Sequence, residues 1–414
     1  MKKLVALLLA LTLCIGLCAC GATAEKPAEE TPATTGETET PATDAKDIKV
    51  GFIFLHDENS TYDLNFINAA KAAAAELGLS DDQIMMKTNI AESQACYDAA
   101  AELVDAGCDL VITDSFGHES FALAAAKEFP EVQFVSCTGV KAHTEGLSNF
   151  HNAFASIYEG RYLAGVAAGL KLNEMIENGD ITAEEAKMGY VGAYPYAEVK
   201  SGYTSFFLGA RSICPSVTME VTFTSSWYDE ALEKEAANKL INNGCVLISQ
   251  HADSMCAPTA CETAGVPNVS YNGSTVAACP NTFIVSSRID WTPFFVYAIN
   301  CVTAGEDIGY DWTGTLATGS VVLTEVNEAA AAAGTADKIA EVMKSLEDGS
   351  LKVFDTATFT VNGETVSTYL ADVDDLGDYV GETEAVSDGV FLESYYRSAP
   401  YFDLDIDGIT NLDA

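Results

Sequence analysis

The sequence predicts an α/β protein made of two doubly wound lobes, joined by a hinge and followed by a C-terminal extension that wraps them. Three observations predict it. Short apolar runs alternate with Ala-rich helical stretches from residue 48 to 137. The same rhythm restarts after a long helical segment at 158–172 and continues to 271. Beyond 306 the alternation fades. Strands alternating with helices over short links build parallel sheets covered on both faces.

Taken in order, 48–55 is an apolar strand run and 64–79 a helix with apolar residues at helical spacing. Residues 82–89 read as a strand, 93–106 as a helix ending at Gly107, and 109–113 as a strand. Residues 119–129 read as a helix and 132–137 as a strand. After the linking helix come strand 188–193, helix 201–211, strand 218–224 and helix 230–243. Strand 246–250, helix 258–264 and strand 268–271 complete the second block. In the last hundred residues only 336–347 reads as a clear helix. Residues 354–361 and 364–370 flank Asn362-Gly363, the dipeptide favoured in tight hairpin turns. The expected domains are therefore lobe 1 at 48–155 with a return segment near 272–305, lobe 2 at 156–271, and the extension at 306–414.

The first 47 residues are different. Lys2 and Lys3 precede an apolar stretch at 4–17, too short to span a bilayer comfortably, and Leu17-Cys18-Ala19-Cys20-Gly21 follows. This pattern is that of a secretory signal at 1–20, and the small residue before Cys20 resembles a bacterial lipobox. Cleavage there leaves Cys20 as a lipidated N-terminus that tethers the chain to a membrane. Residues 21–47 are mostly Ala, Thr, Glu and Pro, the composition of a disordered spacer.

A formal charge of −40, from 61 acidic against 21 basic residues, opposes any polyphosphate, so no nucleic-acid partner is expected. With 48% apolar residues there is material for substantial cores. Nine of the twelve cysteines lie beyond Cys20; they lack CxxC spacing and interleaved histidines, and read as small buried hydrophobes rather than zinc ligands. No phosphate loop, no GxGxxG after the first strand, no GxSxG and no HExxH occur. No cofactor, metal or catalytic residue is expected, and the chain reads as a binder rather than an enzyme.

In doubly wound sheets, ligands bind beyond the carboxyl ends of the strands. Those positions here are rich in aromatics and short polar groups: 56–59, 114–118, 137–139, 194–195, 226–229, 250–254 and 271–273. Tyr62, Phe116, Tyr194, Trp227, Tyr228 and Trp291 all fall at or near these edges. Flat π-faces recurring there favour a planar ligand whose edge is read by polar side chains.

Several segments carry a family resemblance: Thr113-Asp114-Ser115-Phe116-Gly117, Cys137-Thr138-Gly139, and Tyr158-Glu159-Gly160-Arg161-Tyr162-Leu163-Ala164-Gly165. It continues through Gly189-Tyr190-Val191-Gly192-Ala193-Tyr194-Pro195, Leu208-Gly209-Ala210-Arg211-Ser212, Ser226-Trp227-Tyr228-Asp229 and Gln250-His251-Ala252-Asp253-Ser254. Together they resemble the basic membrane protein (BMP) family of substrate-binding lipoproteins, which serve ATP-binding-cassette importers and include purine nucleoside receptors. The resemblance implies a type I periplasmic-binding fold, with two lobes joined by three crossovers and closing on a small ligand, and permease subunits as partners. It makes Tyr62 the first stacking candidate, with Phe116, Tyr194 and Trp227 lining the cleft, and Asn59, Asp114, Asn152 and Asp253 as polar readers. Trp291 lies in a stretch, 286–291, resembling the Trp-containing branch of the family. At Asn272 the nucleoside-binding relatives carry an Asp that holds the ribose hydroxyls; neutral Asn accepts fewer such bonds. A purine-like ligand, nucleobase or nucleoside, is expected. The alternatives are a ligand-sensing receptor or a sugar-binding protein with the same cleft.

Overall fold

The computed structural model describes residues 47–374 and 380–413. The signal-like segment with Cys20, and all of the spacer but Asp47, lie outside the described residues. None of the described helices is long and apolar enough to cross a membrane.

Strand β1 (Val50–Ile53) is buried along its whole length, as a strand must be when helices cover both faces of its sheet. Helix α1 (Thr61–Leu77) follows; it starts three residues earlier than its apolar spacing predicts because the Ser60 hydroxyl caps the Asp63 amide. Next come β2 (Ile84–Lys87), α2 (Gln94–Asp105), β3 (Leu110–Thr113), α3 (Glu119–Glu128), β4 (Gln133–Ser136), the short α4 (Ala142–Glu145) and β5 (Phe150–Ala155). The long helix α5 (Ile157–Asn178) crosses into the second block. That block contains β6 (Lys187–Gly192), α6 (Ala197–Ile213), β7 (Thr218–Phe223), α7 (Glu230–Asn242), β8 (Leu247–His251), α8 (Cys256–Ala264), β9 (Asn268–Tyr271) and β10 (Phe283–Ile289). Helix α9 (Thr292–Ala304), β11 (Asp311–Gly314), β12 (Val321–Leu323) and α10 (Thr335–Glu347) follow.

The first sheet runs β2-β1-β3-β4-β5-β11, all parallel. One face packs Phe52 and Phe54 against Phe66 of α1 and Phe295 of α9; the other packs Ile53 and Val111 against α2 and α3. The second sheet repeats the order as β7-β6-β8-β9-β10. Strand β12 is added antiparallel to β10, and the C-terminal strand Ile409–Asn411 parallel to β7. In both sheets the order reverses next to the first strand of the block, which opens a crevice at that end.

Helices α5 and α6 pack backbone to backbone. A Cβ on Gly165 would lie 2.0 Å from the Phe206 carbonyl oxygen, and one on Gly209 would lie 2.0 Å from that of Tyr162. Both glycines fall in segments that carry the family resemblance, and this close approach is their physical reason.

Three features differ from the sequence reading. Strand β5 was not expected, because His151 and Asn152 interrupt its apolar run; both are nonetheless buried and hydrogen-bonded. The segment expected to rejoin lobe 1, near 272–305, divides: β10 pairs with β9 in the second sheet, and the return is made by α9 and β11. The hairpin about Asn362-Gly363 shrinks to one bridge, Val361 with Glu364. Its turn forms, with positive φ at both residues, but Asp407 takes the Gly363 amide and the Thr360 hydroxyl, and Glu384 takes the Tyr369 amide. The C-terminal chain thereby replaces the second hairpin strand.

The described cysteines are all free thiols, and all but Cys256 are buried. Burial raises the thiols of Cys96, Cys245 and Cys261 to about 12.

Candidate functional site

Strand ends from both lobes meet around a small cavity. Lobe 1 contributes His56 after β1, Tyr62 and Asp63 from the first turn of α1, Asp114, Ser115 and Phe116 after β3, and Thr138 after β4. Lobe 2 contributes Glu198 from the first turn of α6, Trp227 after β7, and His251 and Asp253 at the end of β8.

The floor is organised by a pair of carboxyls. Asp63 accepts the His56 amide at 2.7 Å and the Ser60 hydroxyl at 2.5 Å, and its Oδ2 lies 3.5 Å from His56 Nδ1. Burial alone would raise this carboxyl, but hydrogen bonds from His56, Asp114 and Ser60 outweigh it and hold Asp63 below the usual range. Asp114 accepts the Leu55 amide at 3.0 Å, and its backbone carbonyl accepts the Tyr62 hydroxyl at 2.9 Å. Burial, and then the neighbouring Asp63 carboxylate, push Asp114 well above the carboxylate range. Adjacent buried carboxylates repel one another, which favours one shared charge, held on the hydrogen-bonded Asp63 rather than on Asp114. Asp253 is raised by burial first, then by Asp63, Glu233 and Glu198.

The two lobes touch across the cleft. Thr61 N donates to the Asp253 carbonyl at 3.0 Å, and Asn65 Nδ2 donates to the Asn272 carbonyl at 3.0 Å. The rings of His56 and Tyr228 lie 5.4 Å apart, and those of Phe116 and Tyr196 5.9 Å apart. The lobes therefore stand closed. Glu198 Oε1 lies 3.3 Å from His251 Nε2, and the Thr138 hydroxyl is buried with no hydrogen-bond partner among the described residues.

Of the sequence candidates, Tyr62, Phe116, Asp114, Trp227 and Asp253 line this cavity. Tyr194 sits behind it, stacked on Tyr196 at 5.0 Å and edge-on to Trp227 at 5.1 Å. Asn272 supports it: its Nδ2 donates to Asp253 Oδ1 at 3.3 Å, from a backbone with φ of 69°. Three candidates lie elsewhere. Asn59 is exposed and donates to Asp57. Asn152 is buried, accepting the Ala142 amide and donating to Glu119, so it joins α3, α4 and β5. Trp291 is 1% exposed and stacks on Phe66 at 4.5 Å, in the core beneath α1 and α9. Its signals were a strand-end position and a stretch, 286–291, resembling the Trp-containing branch of the family. Sequence reasoning did not select His56, Asp63, Ser115, Thr138, Glu198 or His251. His56, Thr138 and His251 stood in the strand-end segments, whereas Glu198 had no signal beyond its place in the first turn of α6.

Comparison with known proteins places this geometry. A purine-binding protein of Brucella abortus is 31% identical over 261 residues, spanning 62% of this chain and 69% of that protein. TsgA13 of Haloferax volcanii, named for glucose binding in ABC transport, is 31% identical over 217 residues, 52% of each chain. The solved solute-binding protein of an ABC transporter from Conexibacter woesei superposes with a TM-score of 0.59 at 20% identity, covering 74% of this chain and 98% of that one. Residues 53–351 match the family described as Bmp, ABC transporter substrate-binding protein PnrA-like. With most of its length matched, a cleft between two doubly wound lobes and the family's segments lining it, the chain belongs to this family of ABC-transporter substrate-binding proteins.

Proposed function

We propose that the chain is the extracytoplasmic receptor of an ABC importer, lipid-anchored through Cys20, and that it captures an uncharged purine-like molecule by closure of the two lobes. The observation that carries this reading is the lining of the cavity. Tyr62 and Phe116 from lobe 1 and Trp227 from lobe 2 offer π-faces to a flat ring. Asp253 and Thr138 supply groups for its polar edge. Asp63, Asp114, Glu198 and Asp253 all line the cavity, while no Lys or Arg does among the described residues. Such a site rejects phosphates and carboxylates, because a buried anion without a cation is costly. A protonated carboxyl offers one donor and one acceptor side by side, which matches the ring nitrogens and exocyclic groups of a nucleobase.

Closure is the working step. Ligand held on lobe 1 stabilises the closed state only through contacts that lobe 2 adds, here Trp227, Glu198 and Asp253. The permease then reads the closed shape. The name of the Brucella relative supports a purine, whereas that of the Haloferax relative supports the sugar reading.

A thermal-shift screen of the purified chain against bases, nucleosides, pyrimidines, sugars and nucleotides tests this. A ligand at a hundred times its Kd stabilises by about 2.7 kcal/mol. Shifts with bases or nucleosides and none with nucleotides are expected. A response to sugars alone would overturn the ligand class.

A further inference from the structure

The family match ends at residue 351, and the rest of the chain has its own place in the fold. It is anchored on lobe 2: Phe354, Phe391 and Phe402 enter that lobe's core, Asp403 pairs with Lys200 at 2.7 Å, and strand Ile409–Asn411 extends the sheet. It then reaches over to lobe 1. The Val373 carbonyl accepts from His143 Nε2 at 3.0 Å, and the Ser398 amide donates to Asp311 Oδ2 at 2.9 Å.

Between this segment and the two lobes lies a second, wider chamber, part of it open to solvent. Phe116, Thr138 and Glu198 line both this chamber and the inner cavity, so the two adjoin. The Thr138 hydroxyl, buried and without a partner among the described residues, stands at that junction. A buried hydroxyl left unpaired is costly, and a ligand group at this point would satisfy it. The chamber differs in chemistry from the inner cavity. Tyr196 and Tyr369 offer ring faces, Lys141 and Ser120, bonded to each other at 2.8 Å, keep further donor hydrogens, and Asp403, paired with Lys200, keeps further acceptor capacity. Flat faces interleaved with donors and acceptors of both signs suit a neutral polyhydroxyl group, whose hydroxyls give and take hydrogen bonds while its C–H face lies on a ring.

We propose that the C-terminal extension builds a second ligand subsite, which takes a polyhydroxyl substituent carried by the planar group in the inner cavity. This rests on the purine-like reading above. It also gives the segment beyond the family match a role in specificity: with Asn272 turned onto Asp253, the extension supplies hydroxyl-reading contacts in its place.

The test is a titration of the full chain with adenine and adenosine, and with guanine and guanosine, comparing affinity ratios in wild type, Leu370→Trp and Lys141→Ala. Leu370 lines the chamber on the extension and is 56% exposed, so a larger side chain fills space without entering a core. The nucleoside-to-base affinity ratio is expected to fall about tenfold in Leu370→Trp and severalfold in Lys141→Ala. Matching melting temperatures show that both variants fold; should Leu370→Trp fail to fold, Lys141→Ala decides. Ratios that stay put with bases still bound overturn the subsite and leave the purine reading standing. Absence of binding by every base and nucleoside overturns both. Binding of free ribose with no purine response does the same.

Discussion

The backbone amide of Thr61, on lobe 1, donates to the carbonyl of Asp253, on lobe 2, at 3.0 Å. Thr61 is the first residue of α1, where amides have no partner within the helix. Here the opposite lobe supplies that partner, so this hydrogen bond exists only when the cleft is shut. The Thr61 hydroxyl reaches the same carbonyl at 3.3 Å.

Thr61→Pro removes both of these donors. Proline suits the first helical position, and Ser60 already has the extended backbone that a following proline requires. Each such bond is worth about 0.5–1.5 kcal/mol. Ligand affinity is expected to fall roughly three- to tenfold with the melting temperature of the ligand-free chain nearly unchanged, as read by titration and thermal melts. Unaltered affinity would mean that this contact does not hold the lobes shut.

The aromatic residues divide into ligand-facing and structural. Tyr62→Ala and Phe116→Ala are each expected to weaken binding, since a stacked pair contributes about 0.5–1.5 kcal/mol beyond area burial. Trp291→Ala instead removes a ring packed on Phe66 and Phe295, with an expected loss of about 3–5 kcal/mol of stability. Titration and denaturant melts of the three variants separate the two roles, and a Trp291→Ala protein that melts normally but binds poorly would reverse the assignment.

The contact between α5 and α6 leaves no room for a methyl group. Gly209→Ala drives a Cβ into the Tyr162 carbonyl, and the helices must part for it to fit. An overpacking cost of about 1–3 kcal/mol is expected in denaturant melts. A variant as stable as wild type would show that the helices separate freely.

A pH dependence follows from Glu393. It is buried, takes a hydrogen bond from Ser201, and faces Glu159, Glu198, Tyr158 and Tyr401 with no cation beside it among the described residues. Burial raises its carboxyl to about 7, against an ordinary value of 4.5. The folded state thus holds a proton that the unfolded chain releases between these values. The stability this confers is full below 4.5 and lost as pH rises through 7. Glu393→Gln mimics the protonated form and keeps the acceptor for Ser201. It is expected to raise the melting temperature at pH 8 and leave it unchanged at pH 4.5, the difference corresponding to about 3 kcal/mol at most. An equal shift at both pH values would exclude the proton linkage.

Most of the fold was legible in the sequence because a parallel sheet between helices imposes a local pattern. Apolar strand runs, Ala-rich helices and the links between them report burial directly, and the strand ends mark the crevice. The rings of Tyr62, Phe116 and Trp227 were found in this way. Tertiary structure decided the remainder. Trp291 and Tyr62 look alike in sequence, yet one stacks in a core and the other faces a cavity, a distinction made by α9 packing back on α1. Asp63 and Asp114 sit 51 positions apart, and only the pairing of β1 with β3 brings them to share one charge. Strand β10 joins the second sheet because β9 leaves an edge that its backbone groups can pair, and no local pattern states which sheet that edge belongs to. Local burial is written residue by residue; partnership across the cleft depends on the path of the whole chain.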